Sequence, residues 1–432
     1  MESGQGPERA KPSRLSRRQI LALGAALPAG ALLARVAHGQ FTEAPLAPKE
    51  ARGNLAHRFW KDLLEDFPLE PGERYFDHAD HGITPLQTLE QMQRTATDLA
   101  AHAVTRSVDP VETARTTVAR FFGADAAEIA LMHDATEAML TLAESLSLPP
   151  GAVVALSAHE PPSTFVPWVA LARAGRVKLR PFAPRPQAPV WRAALSGAAV
   201  LVVSQVSPTT GELLPLQEVC AAARQQGVLV VVNGSLAAGM VPVDLHALGV
   251  DGYVASGSGF LLGPEGTALL YVRQQLLPRL VPRCRRVDDT TTSDEPQTAG
   301  VTAARDLELE ARAPALATGL ATSMEWLAGL SIEVVREHAT LLAQHLVEGL
   351  AGIGGIELLT TPERAALFPL VGIRVTRRPY TQVADWLRTE LAVRVHPVAT
   401  PGLNCVRAST HLVNRKADVE QLVEGIRRLA LA

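Results

Sequence analysis

The lysines of this chain are few, and their positions limit the covalent chemistry that the chain can perform. They are Lys11, Lys49, Lys61, Lys178 and Lys416. A lysine amine is the group with which a protein forms an imine with a carbonyl compound. The serine- and glycine-rich run Ser256–Thr267, after a predicted strand, therefore offers hydroxyls but no amine. No local realignment changes this, because the whole interval between Lys178 and Lys416 lacks lysine.

Cysteine usage and charge exclude further classes of function. Cys220, Cys284 and Cys405 have no paired spacing, so we expect neither a disulfide framework nor a metal site. The 432 residues are 47% hydrophobic, enough to bury a full core and to form two domains. Residues 40–432 contain 35 basic and 42 acidic residues. This balance argues against a nucleic-acid partner.

The N-terminus predicts export. The pair Arg17-Arg18 is followed by the apolar run Ile20–Leu33 and by Ala37-His38-Gly39. This order is typical of a twin-arginine (Tat) signal that is cleaved near Gln40. A membrane anchor is the alternative, but spanning a bilayer takes roughly 20 apolar residues and this run is shorter. We therefore expect a periplasmic or secreted protein without a membrane segment after cleavage.

The pattern of apolar runs predicts an α/β fold. Short β-branched runs alternate with helical periodicity, as a mostly parallel sheet covered by helices requires. The predicted strands are Glu128–Met132, Ala152–Leu156, Ala199–Ser204, Val228–Val232, Gly252–Ala255 and Thr267–Val272. After residue 300 the pattern changes to two long helices, at about Pro314–Gly329 and Ile332–Leu350, and then to strands mixed with helices. The predicted organisation is a signal peptide at 1–39, an N-terminal arm at 40–75, a large domain at 76–300 and a small C-terminal α+β domain at 301–432.

Several segments resemble class V aminotransferase-like enzymes, which depend on pyridoxal phosphate (PLP) and include cysteine desulfurases and isopenicillin-N-epimerase-like proteins. Ser256–Thr267 is similar to the family's Ser-Gly-His-Lys-Trp-Leu-Leu-Gly-Pro-x-Gly segment. Gly259 stands at the position of the lysine that binds PLP. The resemblance extends from Tyr75 to about Leu429 and implies the PLP-transferase fold for the large domain.

Other family positions also differ from the pattern. Asn233 replaces the aspartate that pairs with the pyridine nitrogen, and Pro161 replaces the ring that stacks on the cofactor. Glu310-Ala311-Arg312-Ala313 lacks the threonine that the family contributes to the partner subunit's phosphate site. The loop His396–Leu403 lacks the cysteine that a desulfurase uses. The resemblance therefore implies PLP, but the residues make PLP binding doubtful and leave no catalytic residue.

Part of the family's site is retained by resemblance. The cofactor-binding positions are Ala135, Thr136, Ser207, Asn233, Ser256 and Ser258, which we regard as vestigial. The helix that starts near Thr136 offers backbone N–H groups to an anion, although an ordinary helix start is the alternative. Arg407 corresponds to the arginine that grips the substrate carboxylate, with a structural salt bridge as the alternative.

These losses favour an exported, non-catalytic protein of this fold that binds a small anionic or carboxylate ligand or a partner protein. An enzyme that uses noncovalent PLP, or a lysine-independent reaction on a small amino or carboxylic acid, is the alternative. A structural subunit beside an active paralogue fits the same losses. The resemblance also implies a homodimer, because family members form their active sites at a two-fold interface.

Overall fold

Two β-sheets organise the chain, and the computed structural model describes it over residues 63–102, 109–183, 187–281, 301–309, 313–399 and 403–431. The predicted signal peptide, residues 40–62 of the predicted arm, residues 282–300 and the segment 310–312 lie outside these ranges. The strands are β1 (Arg74–Phe76), β2 (Ile129–Met132), β3 (Ala152–Ser157), β4 (Val177–Phe182), β5 (Val200–Ser204), β6 (Leu229–Asn233), β7 (Gly252–Ser256), β8 (Ala268–Val272), β9 (Ile356–Leu358), β10 (Leu370–Val375), β11 (Val393–Val398) and β12 (Cys405–Ser409).

Helices follow most of these strands. They are α1 (Leu86–Ala101), α2 (Pro110–Phe121), α3 (Ala135–Ser145), α4 (Pro162–Arg173), α5 (Ala188–Leu195), α6 (Leu216–Gln225), α7 (Leu245–Leu248), α8 (Pro314–Leu330), α9 (Ile332–Leu350), α10 (Pro362–Ala365), α11 (Tyr380–Leu391) and α12 (Lys416–Leu431). Their starts follow common capping chemistry. Asp109 and Asp134, for example, accept backbone N–H groups at the starts of α2 and α3.

The first sheet has seven strands in the order β2-β8-β7-β6-β5-β3-β4. Strand β8 runs antiparallel to both neighbours, and the neighbouring pairs from β7 to β4 are parallel. The central strands β6 and β7 are apolar on both faces, because helices cover both sides of a parallel sheet. This arrangement confirms the predicted α/β class with a mostly parallel sheet.

The second sheet has five strands in the order β1-β11-β12-β10-β9. β1 comes from far upstream in the chain and pairs in parallel with β11. Helices α9 and α12 contribute buried side chains to the core of this sheet, including Leu346 and Leu422. The predicted division between domains at residue 300 stays a prediction.

Within the described residues, no helix combines the length and the apolar character that crossing a membrane requires.

Candidate functional site

Most of the residues that the sequence singled out gather at one edge of the first sheet. Asn233 is the last residue of β6, Ser256 is the last residue of β7, and Ser204 ends the neighbouring β5. These strands are parallel, so their carboxyl ends meet at the same edge. Ligand sites of α/β sheets lie at this edge. The topology therefore places the predicted site residues where chemistry is usually found in such folds.

Gly259 opens a short 3-10 turn at this edge and has a backbone φ of +66°. A Cβ atom added there would lie 2.7 Å from the carbonyl oxygen of Ala79 and 3.5 Å from that of His78. A Cβ added at Gly82 would in turn overlap the carbonyl oxygen of Gly259. The loop of residues 77–82 therefore packs directly on the backbone at the position of the missing lysine.

Hydrogen bonds from both sheets hold the 77–82 loop in place. The N–H of Ala79 donates to Oγ of Ser409 at 2.9 Å, and Ser258 Oγ donates to the carbonyl of Asp80 at 3.4 Å. The imidazole Nδ1 of His81 lies 3.0 Å from Oε1 of Glu265. These contacts come from β12 and from the segment that follows β7. The loop is thus anchored on two sides across the sheet edge.

Arg407 points from β12 into the same region and already has a carboxylate partner. Its side chain is 5% exposed, and its Nη2 is ion-paired with Oδ2 of Asp80. Nη1 donates to the carbonyl of Pro208 at 2.9 Å. Burial lowers the pKa of Arg407 to about 10, and the negative charge of Asp77 acts in the opposite direction. The guanidinium is therefore a buried cation at neutral pH.

The imidazole of His396 joins this charged group. His396 Nδ1 lies 3.2 Å from Oδ1 of Asp77 and 3.2 Å from Oδ2 of Asp80. Asp77 is buried, whereas about a third of the Asp80 side chain is exposed. Two carboxylates, one guanidinium and one imidazole thus converge beside the loop. Sequence reasoning missed Asp80 and His396, although the run Asp77-His78-Ala79-Asp80-His81 is rich in ionisable groups.

Asn233 is hydrogen-bonded within the protein at both ends of its side chain. Its Nδ2 donates to Oγ1 of Thr164 at 2.7 Å, and its Oδ1 accepts the N–H of Ser235 at 2.9 Å. Ser256 N–H donates to Ser235 Oγ, and the Ser256 and Ser258 hydroxyls are 3.0 Å apart. A continuous polar chain therefore links Asn233 through Ser256 and Ser258 to the 77–82 loop.

The predicted anion site at the start of α3 holds an internal carboxylate. Oδ1 of Asp134 accepts the N–H groups of Thr136 at 2.6 Å and of Glu137 at 2.9 Å. Ala135 is buried at this helix start. The carboxylate takes the place that an anion would take on these N–H groups. Phosphate binding by Ala135 and Thr136 stays a prediction.

Ser207 lies in a tight turn beside Arg407. Its Oγ accepts the N–H of Thr210 at 3.2 Å and lies 2.9 Å from the Thr210 hydroxyl. The next residue, Pro208, supplies the carbonyl that binds Arg407. The structure thus brings together Ser207, Asn233, Ser256, Ser258 and Arg407 around the 77–82 loop.

A buried carboxyl group at the same edge was not found by sequence reasoning. Glu160 accepts the backbone N–H of Ser204 at 2.9 Å and a hydrogen bond from the Ser204 hydroxyl. Burial raises the pKa of Glu160 to about 7, and the hydrogen bonds from Ser204 oppose this shift. Its neighbour Pro161 precedes the first residue of α4. No apolar or polar periodicity would have identified Glu160.

The residues of this edge do not fit covalently bound PLP. The backbone at Gly259 is in contact with the 77–82 loop, the Asn233 amide is bonded to Thr164, and the start of α3 is capped by Asp134. A cofactor aldehyde would find no lysine amine at this position. The charged groups of this edge are instead one buried guanidinium, that of Arg407, and the two carboxylates of Asp77 and Asp80, which suit the binding of small charged groups.

Comparisons with known proteins agree with the fold. The family model described as Aminotransferase class-V matches residues 74–422. A cysteine desulfurase of Serratia proteamaculans (strain 568) is 28% identical over 408 residues, which are 90% of this chain and 97% of that protein. An isopenicillin N epimerase of Amycolatopsis lactamdurans is 29% identical over 398 residues, 86% of this chain and 98% of that protein. A C-DES variant, solved with glycine covalently linked to its PLP cofactor, shares the fold with a TM-score of 0.75 and 22% identity, covering 85% of this chain and 98% of its own.

Proposed function

Since the chain belongs to the class V aminotransferase family, we propose that it is an exported member that has lost PLP catalysis and acts as a ligand-binding or partner protein. The packing at Gly259 carries this proposal. A lysine there would need the left-handed backbone conformation and would bring its Cβ to 2.7 Å from the Ala79 carbonyl. The backbone of the 77–82 loop therefore opposes any side chain at position 259.

The pyridine partner and the desulfurase nucleophile are also missing. Asn233 is neutral and bonded to Thr164, so it supplies no charge to a pyridinium. Cys405 is buried, and burial raises the pKa of its thiol to about 11. A thiol with that pKa stays protonated at neutral pH and is a poor nucleophile. Both features support a non-catalytic role rather than desulfuration.

Trapping of an imine with borohydride tests the loss of catalysis. The purified protein is incubated with PLP and reduced, and the modified peptides are mapped by mass spectrometry. We expect no adduct in the peptide that contains residues 252–273. The exposed Lys178 and Lys416 serve as the internal control for non-specific labelling. Turnover of an amino acid in the presence of PLP would contradict the proposal and favour a lysine-independent enzyme.

Export and dimerisation are parts of the same proposal. The Arg17-Arg18 pair and the apolar run after it support Tat-dependent export. Fractionation of cells that express the chain should place it in the periplasm or medium, and Arg17→Lys combined with Arg18→Lys should retain it in the cytoplasm.

Family membership supports a homodimer. A monomeric mass by light scattering at micromolar concentration would overturn that part.

A further inference from the structure

We propose that Asp80 is an internal ligand of Arg407, so that the 77–82 loop autoinhibits a site for small carboxylates. The inference rests on the proposed function, because it treats the edge of the first sheet as a ligand site without catalysis. Asp80 takes the position that the carboxylate of an external ligand would take on the guanidinium. Without this side chain, the site binds a free carboxylate.

The contacts of Arg407 leave donor groups on its guanidinium that a carboxylate could use. Nη1 donates to the Pro208 carbonyl and Nη2 is ion-paired with Oδ2 of Asp80, but neither Nη2 nor Nε has a hydrogen-bond partner among the described residues. Nε and Nη2 form one edge of the guanidinium, which matches the two oxygens of a carboxylate. Asp80 therefore engages this edge at one nitrogen, and a free carboxylate would engage it at both.

The exposed fractions of the Arg407 and Asp80 side chains indicate how an external ligand would reach the guanidinium. The Arg407 side chain is 5% exposed, whereas that of Asp80 is 34% exposed. Asp80 thus meets solvent on one side and contacts the buried guanidinium on the other. Removal of the Asp80 carboxylate leaves Asp77 as the remaining negative charge near Arg407 and takes the direct partner away from Nη2. Since a buried charge that loses its partner is costly, the vacated position should favour an external anion.

The anchoring of the 77–82 loop explains why Asp80, rather than an external carboxylate, pairs with Arg407 in the intact protein. Ala79 is bonded to Ser409, and Ser258 is bonded to the Asp80 carbonyl. These bonds hold the backbone on both sides of the Asp80 side chain. The tethered carboxylate therefore pays little of the entropy that an external ligand loses on binding. An external carboxylate competes poorly until the tethered one is removed.

Chemical rescue tests the inference. Asp80→Ala removes the carboxylate and leaves room for formate, and Asp80→Asn keeps the shape without the charge. Thermal unfolding is measured in sodium formate and in sodium chloride at equal ionic strength. We expect formate to restore at least half of the melting temperature lost in Asp80→Ala. Binding of acetate to Asp80→Ala, measured by saturation-transfer NMR, should be at least tenfold tighter than binding to the wild type, whereas Asp80→Asn, whose amide still fills the position, should show a smaller gain.

Two controls assign the effect to Arg407. Glu265→Gln removes another carboxylate that contacts the loop, at His81, and should gain neither rescue nor acetate binding. The double variant Asp80→Ala, Arg407→Gln should lose the rescue. Equal effects of formate and chloride, or rescue that persists without Arg407, would overturn the inference. Failure of the proposed function would appear separately, as a PLP adduct or turnover in the wild type.

Discussion

The contact between Gly259 and the 77–82 loop makes a quantitative prediction for Gly259→Ala. Two costs add at this position. A non-glycine residue at φ +66° costs about 1 kcal/mol. The new Cβ at 2.7 Å from the Ala79 carbonyl forces a backbone shift, which costs about 1–3 kcal/mol in a packed region. We therefore expect Gly259→Ala to lower the free energy of unfolding by about 2–4 kcal/mol.

Gly227→Ala is the matched control. Gly227 has a similar φ of +68°, but an added Cβ would meet no atom within 4 Å. It should therefore show the conformational cost alone, about 1 kcal/mol. With an unfolding entropy of about 2 cal/mol/K per residue, the melting temperature should fall by about 3 °C for Gly259→Ala and about 1 °C for Gly227→Ala. Urea denaturation and differential scanning calorimetry measure the two variants side by side.

Equal losses in the two variants would refute the reasoning, because they would show that the loop does not restrict position 259. Gly259→Lys extends the test to chemistry. The lysine has the same Cβ, and Asn233 would leave the pyridine without its carboxylate partner. We expect no measurable transamination after PLP addition.

Three further variants test buried ionisable groups. Burial lowers the pKa of His78 to about 4, so between pH 6.5 and 4 the unfolded chain binds a proton that the folded protein does not. The contribution of His78 to stability therefore falls by about 3 kcal/mol as the pH drops over this range, and urea titrations measure it as the difference between the wild type and His78→Gln. Burial raises the pKa of Glu160 to about 7, so its contribution to stability falls as the pH rises from 4.5 through 7, opposite in sign to that of His78. The slope of stability against pH should therefore be more positive in Glu160→Gln than in the wild type; an unchanged slope would contradict the shift. Glu308→Gln breaks the buried ion pair with Arg115 and should cost about 3–5 kcal/mol in the same denaturation assay, whereas a loss below 1 kcal/mol would argue against a tight pair.

Local patterns in the chain were sufficient to predict much of the fold. Helix α9 begins and ends at the predicted residues, Ile332 and Leu350, because its apolar periodicity is bounded by non-helical residues. Strands β6 and β7 were predicted to within one residue from their apolar runs. Strand β4 was missed because it is an edge strand with Lys178, Arg180 and Pro181, which break the pattern of a buried strand.

The absence of a lysine at Gly259 and the amide at Asn233 can also be predicted from the sequence, because each depends only on the residue type at a family position. The side chain that pairs with Arg407 cannot be predicted in this way. Asp80 and Arg407 belong to segments near opposite ends of the chain, and the pairing of β1 with β11 brings them together. Patterns along a chain report local geometry and burial, whereas the partner of a buried charge depends on which distant backbone the fold lays beside it.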